Sequence, residues 1–256
     1  MKADELKNTP PKIMIYGPAG SGKTGLVSQA NKGYLFDFDG GMLTARNLND
    51  SFSSLRKSID FDVYRDTKPS NPDGWRRAKE KLISISEQCA SNKWAYNACI
   101  IDSFTGLSQA IQNSVMANDN KPMGKPEIQH YGMIVSELEN ILTLITSLHN
   151  TLVLVTAHEM PILSRKGQIG HPEQDTYKFV PLCAGTKLGP KLPWMFDEVW
   201  YADRTSVGGK ISFVVSGKPS SYNDSRTRSG FVEDFDHTSI GLAALLKKLN
   251  YNYDNK

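Results

Sequence analysis

Gly17-Pro18-Ala19-Gly20-Ser21-Gly22-Lys23-Thr24 decides how the rest of this sequence is read. Its spacing is G-x-x-x-x-G-K-[ST]. Glycines at these places let the backbone curl until several N–H groups point into one hollow. The helix that follows aims the positive end of its dipole at the same hollow, which suits phosphate. Lys23 then reaches the outer phosphates, and Thr24 sets a hydroxyl on Mg²⁺. The four fixed positions arise by chance in about one chain in a hundred of this size. Context argues against chance, because the apolar run Ile13–Tyr16 leads in and a helical pattern leads out. Gly17–Thr24, with Gly25 behind them, therefore read as a site for a nucleoside triphosphate, ATP with Mg²⁺.

Outward from the loop, strands and helices alternate. Lys12–Tyr16 predicts the first strand and Gly22–Asn31 the helix after it. Gly33–Phe38 predicts a second strand, running into Asp39-Gly40-Gly41, and Ile59–Tyr64 a third. Trp75, Ala78, Leu82, Ile85 and Cys89 recur three or four apart and predict a helix over Gly74–Cys89. Ala98–Ile101 reads as a buried strand, Leu107–Met116 as a helix and Tyr131–His149 as a long amphipathic helix. Leu152–Thr156 is a further apolar strand. Met160–Pro193 is Gly/Pro-rich and weakly periodic, and reads as one long loop. Asp197–Tyr201 and Ile211–Val215 predict late strands, and Thr238–Leu249 a closing helix. Strands that are apolar throughout belong in a parallel sheet covered on both faces. The expected fold is α/β, a mostly parallel central sheet with helices on both faces and late antiparallel strands. Residues 1–11 are expected to be a flexible segment, and 12–250 one domain.

Composition sets outer bounds. The chain has 256 residues, 39% of them hydrophobic and 22% charged, which suffices for one sizeable core. A net charge of +3 permits nucleic-acid binding without arguing for it. Cys89, Cys99 and Cys183 include no C-x-x-C pair, which argues against a disulfide framework or a zinc site. No window has the apolar length to span a membrane, so a cytoplasmic protein with no membrane partner is expected.

A phosphate loop needs a second acidic group near the metal. Asp102 ends the run Ala98-Cys99-Ile100-Ile101, and a hydrophobic strand ending in Asp fits that role. As a turn residue or helix N-cap it has a plainer reading. Residue 103 is Ser, where many AAA+ ATPases and helicases carry their water-activating Glu. The general base must then come from elsewhere.

At these residues the chain resembles the RecA recombinase core. Cys99-Ile100-Ile101-Asp102-Ser103 matches that family's apolar-apolar-apolar-Asp-Ser pattern. The family's catalytic carboxylate ends the strand after the P-loop helix, and Phe36-Asp37-Phe38-Asp39 occupies that place here. The resemblance implies that Asp39 polarises the attacking water, although Asp is one methylene shorter than the family's Glu. Asp39 also has the plainer reading of a turn residue before two glycines. In RecA-like proteins a polar residue ending a later core strand senses the γ-phosphate; Thr156-Ala157-His158-Glu159 ends such a strand here, so the resemblance implies His158 as the candidate sensor, with Glu159 as the rival base.

More narrowly, the chain resembles a phage-encoded family of P-loop proteins with a RecA-like core, some of them Sak-type single-strand annealing ATPases. The Asp-x-Asp-Gly-Gly turn, the strand ending Thr-Ala-His-Glu, and Leu192-Pro193 before Phe196-Asp197-Glu198-Val199 carry that likeness. It implies single-stranded DNA binding, a homo-oligomeric ring or filament, and a single-strand DNA-binding protein as a further partner. The DNA-binding loops would fall at Asn113–His130 and Met160–Lys191. The second loop holds Arg165, Lys166, Lys178, Lys187 and Lys191, with Tyr177 and Phe179 between them, a mixture that tracks phosphates and stacks bases. A solvated loop is the plainer reading. Lys218, Arg226 and Arg228 are candidates for a cation reaching a neighbour's nucleotide. A P-loop small-molecule kinase, and a nucleotide switch acting on a protein partner, remain as alternatives.

Overall fold

The structure is a computed structural model, and it describes residues 9–42, 59–165, 176–185, 188–230, 233–238 and 240–251. Most of the expected segment 1–11 therefore lies outside the described residues. The strands are β1 (Lys12–Tyr16), β2 (Gly33–Asp37), β3 (Ile59–Val63), β4 (Ala98–Asp102), β5 (Leu152–Ala157), β6 (Glu159–Arg165), β7 (Thr176–Pro181), β8 (Glu198–Val207), β9 (Lys210–Ser216), β10 (Arg226–Thr227) and β11 (Asp234–Asp236). The helices are α1 (Lys23–Val27), α2 (Gly74–Ala90), α3 (Phe104–Asn118), α4 (Ile128–Thr146) and α5 (Leu242–Lys248).

The main sheet runs β11-β9-β8-β1-β5-β4-β2-β3, with β10 on β8. From β3 to β8 every neighbouring pair is parallel; β9, β10 and β11 add antiparallel pairs. This is the expected mostly parallel sheet. Successive side chains on a strand face opposite sides, and the core divides accordingly. Met14, Tyr16, Cys99, Ile101, Val153 and Val155 pack with Trp75, Leu82, Leu107, Ile111, Ile134 and Leu138 of α2, α3 and α4. Ile13, Ile15, Ala98, Ile100, Leu152 and Leu154 pack with Leu26 and Val27 of α1 and Leu242, Leu245 and Leu246 of α5. Each fully buried Leu or Ile contributes about 1.5–3 kcal/mol.

The alternation also fixes the chemistry. Asp102 and Thr156 are even-numbered, so they continue the α1 side of their strands, and α1 carries Lys23 and Thr24. Because β5 lies between β1 and β4, its end faces both the P-loop and Asp102.

Three expectations change. The helix after the P-loop stops at Val27 instead of Asn31. Ser28 Oγ donates to the Thr24 carbonyl (2.6 Å), and the amides of Gln29 and Ala30 reach carbonyls only three residues back. This tightens the turn and ends the helix. Met160–Pro193 is not one loop: it holds most of the antiparallel β6–β7 pair and a 3-10 helix over Gly189–Met195. The second late strand, β9, pairs antiparallel with the first, and β8 runs on to Val207 instead of stopping at Tyr201. Among the described residues no helix is long and apolar enough to cross a membrane. The three cysteines are buried and free.

Candidate functional site

The P-loop turns on glycines at positive φ: Gly20 at 76° and Gly22 at 82°. Gly17 passes so close to β8 that a Cβ there would stand 2.0 Å from the Ala202 carbonyl oxygen. Gly22 has no side chain with which to cap α1, so the first amides of the helix are left for a ligand. Lys23 is only 7% exposed, and its ammonium donates to the Gly17 carbonyl (2.9 Å), the Pro18 carbonyl (2.7 Å) and Ser21 Oγ (3.2 Å). Burial pulls its pKa down to about 8, against the upward pull of Asp102, Glu159 and Asp39. A glycine cradle, free helix amides and one buried ammonium fit a chain of phosphates.

A pH dependence follows. The anion binds the protonated lysine, so nucleotide affinity is level below the free protein's pKa of about 8 and falls above it. Titration with a fluorescent ATP analogue at about pH 7.5 and about pH 9 is expected to show weaker binding at the higher pH, and Lys23→Arg to abolish the difference.

Beside Lys23 lies the candidate metal pair, Thr24 and Asp102. Thr24 Oγ1 donates to Asp102 Oδ2 (2.9 Å), and the Thr156 hydroxyl donates to Asp102 Oδ1. Asp102 is buried, and burial raises its pKa although both hydroxyls work to lower it. It is not the cap of the following helix; Ser103 does that, its Oγ accepting the Gly106 amide (3.1 Å). Asp102 is thereby left for a cation. Among the described residues no three His, Cys, Asp or Glu side chains gather into a metal cluster. A carboxylate and a hydroxyl that leave the remaining ligands to phosphate and water suit Mg²⁺. Thr156 was not assigned from the sequence; the signal was a hydroxyl ending an apolar strand.

The two aspartates at the end of β2 have separate tasks. Asp37 holds the turn, its Oδ1 accepting the amides of Gly40 (2.6 Å) and Gly41 (3.0 Å). Asp39 is thus released from turn duty and faces the pocket, with His158 Nε2 3.4 Å from its Oδ2. Burial works to raise the Asp39 pKa, but hydrogen bonds from His158 and Ser103, with the charges of His158 and Lys23, hold it below the usual range. It stays an ionised acceptor near neutrality. Gly106 makes room for it, since a Cβ there would sit 2.3 Å from Asp39 Oδ1. Glu159, the rival base, accepts the Tyr201 hydroxyl (2.7 Å) and does not line the P-loop pocket, whereas Asp39, Asp102, Ser103, Thr156 and His158 do.

A family model for the AAA domain matches residues 9–229. The chain belongs to the AAA-domain family. It is a nucleotide-binding P-loop NTPase, of a family that generally uses nucleotide with Mg²⁺. A comparison with curated proteins finds no match.

Among the described residues, the AAA domain's remaining sequence candidates do not line the nucleotide pocket. Lys178 is ion-paired with Asp224, and Lys191 is exposed in the 3-10 helix. Lys166 and Lys187 lie outside the described residues, as does the side chain of Arg165. Arg226 donates to the Pro193 carbonyl (3.3 Å), and Arg228 is paired with Asp197 (2.7 Å). The Asp197 amide bonds to the Lys12 carbonyl, at the opposite end of β1 from the P-loop, about 16 Å of strand away. Lys218 is exposed after β9. The AAA domain's own loop instead has Arg204 of β8 beside it: Nη1 lies 3.5 Å from where a Cβ on Gly20 would stand. Sequence reasoning missed Arg204 because the predicted strand stopped at Tyr201.

Proposed function

We propose that this AAA domain hydrolyses ATP with Mg²⁺ in a cycle coupled to single-stranded DNA, as a cytoplasmic homo-oligomer in the manner of the phage annealing ATPases that it resembles. One observation carries the coupling. His158 stands beside Asp39 in the nucleotide pocket and is followed at once by β6, and the Leu182 amide, just past β7, bonds back to the His158 carbonyl (2.7 Å). The β6–β7 pair is thus rooted at both ends on the candidate sensor. It exposes Leu163 and Tyr177, cross-strand partners that are 47% and 54% accessible, and an apolar and aromatic surface of this kind suits unpaired bases. Lys218, Arg226 and Arg228 are kept as candidates for a neighbour's site in the oligomer.

Phosphate release measured with and without an oligothymidylate at low salt tests the reading. Turnover is expected to rise with the strand, and Lys23→Ala to lose it in both conditions. Failure of the strand to bind at low salt would overturn the DNA reading and leave the nucleotide site standing. A small-molecule kinase is the second reading, favoured by a cavity on the far side of Asp39.

A further inference from the structure

That cavity has a volume of about 630 Å³ and shares Asp39 and His158 with the nucleotide pocket. The size falls within the roughly 300–1,000 Å³ of ligand sites. Its walls come from five places: Phe38 and Asp39 after β2, Arg65 and Asp66 after β3, α3 from Thr105 to Asn113, His158 after β5, and Leu182–Ala184 after β7. Nothing in the phosphate chemistry above uses Arg65 or Gln112.

The charges inside the cavity are largely settled, apart from one. Asp66 accepts the Gly74 amide (2.8 Å) and Asn113 Nδ2 (2.9 Å), and Asn113 in turn accepts Gln109 Nε2 (2.9 Å). Asp39 is engaged with His158. Burial raises the Cys183 thiol to about 12, so it is not a nucleophile. Arg65 is exposed and makes no ion pair among the described residues. Gln112 lines the same wall and makes no hydrogen bond among the described residues, so its amide offers a donor and an acceptor together. A free guanidinium suits a phosphate, and a free carboxamide suits the edge of a base. Arg65 and Gln109 are exposed at the rim, so the cavity opens to solvent. A phosphoryl acceptor site has to exclude water. An open groove suits one unit of a longer strand.

The geometry points to this cavity as the seat of one nucleotide of a single DNA strand, its phosphate on Arg65 and its base edge on Gln112. The assignment rests on the DNA-coupled reading above and goes beyond it: it places a strand contact against Asp39 and His158, apart from the β6–β7 pair. A nucleotide seated there abuts the same two residues that line the nucleotide pocket, so occupancy on one side is felt on the other.

The test uses the full chain, a fluorescently labelled oligothymidylate, and the variants Arg65→Ala, Arg65→Lys and Gln112→Leu. Binding is followed by anisotropy over a salt series, and phosphate release over a strand titration. Arg65→Ala is expected to lower the slope of log affinity against log salt by about 0.7, the share of one single-strand phosphate contact. The strand concentration for half-stimulation is expected to rise about tenfold in Arg65→Ala and in Gln112→Leu. Arg65→Lys keeps the charge and is expected to restore the slope, which a folding defect cannot do. If the wild type binds the strand and Arg65→Ala and Gln112→Leu match it in slope and half-stimulation, the cavity assignment fails and the DNA reading survives. If the wild type binds no strand, both fall. Phosphorylation of small hydroxylated compounds by a wild type indifferent to the strand would overturn both in favour of the kinase.

Discussion

Lys23→Ala is expected to abolish nucleotide binding while the chain stays folded. The side chain is the one cation buried inside the loop, held by the Gly17 and Pro18 carbonyls and Ser21 Oγ. A preorganised cation in a dry site stabilises anionic phosphate far more than one in water, and removing such a group costs on the order of 10²–10³ in rate. Folding is expected to be affected little. Burial already opposes the charge, since the pKa falls to about 8, so alanine relieves a desolvation penalty as it removes three hydrogen bonds. Calorimetric titration with Mg-ATP, beside a thermal melt, checks both halves: heat of binding lost, melting temperature near the wild type's.

Asp102→Asn is expected to act through the metal instead. The change keeps the size of the side chain and removes the charge that would hold Mg²⁺ beside Thr24. The amide also turns a donor towards Thr24 or Thr156, both of which now donate to the carboxylate. Loss of metal-borne charge stabilisation is worth several kcal/mol, so turnover is expected to fall by about 100-fold or more. A titration of phosphate release against Mg²⁺ is the measurement: the variant is expected to need far more Mg²⁺ and still not recover. Recovery at the wild-type metal concentration would exclude Asp102 as a ligand.

The parts that sequence made legible are those set by local rules. The P-loop is a contiguous pattern with one mechanical reason for each residue. The apolar strands announced a covered parallel sheet, and the step from Ile101 to Asp102 marked where β4 leaves the core. What escaped depends on pairing across distance. Pro161 and the polar residues beyond Leu163 break the alternation that would have announced β6, and its partner Tyr177 lies well along the chain. β8 was read only to Tyr201 because Asp203-Arg204-Thr205-Ser206 looks like surface. Those residues are strand because β9 returns along them. Gly208 and Gly209, both at positive φ, make that turn, and a Gly-Gly pair between the two runs was the available signal. Missing it cost Arg204. The separate tasks of Asp37 and Asp39 were equally out of reach, because the turn bonds that distinguish them are three-dimensional facts.

Asp39, not Glu159, is proposed as the carboxylate that acts on bound nucleotide, beside His158 in the shared wall. Single-turnover cleavage of γ-labelled ATP prebound to wild type, Asp39→Asn and Glu159→Gln tests it most directly, because it separates binding from chemistry. Asp39→Asn is expected to bind ATP as the wild type does and to cleave it about 10²–10⁴-fold more slowly, the usual share of a general base, while Glu159→Gln is expected to cleave at a rate close to the wild type's. Cleavage at the wild-type rate in Asp39→Asn, or its loss in Glu159→Gln alone, would rule Asp39 out as the base.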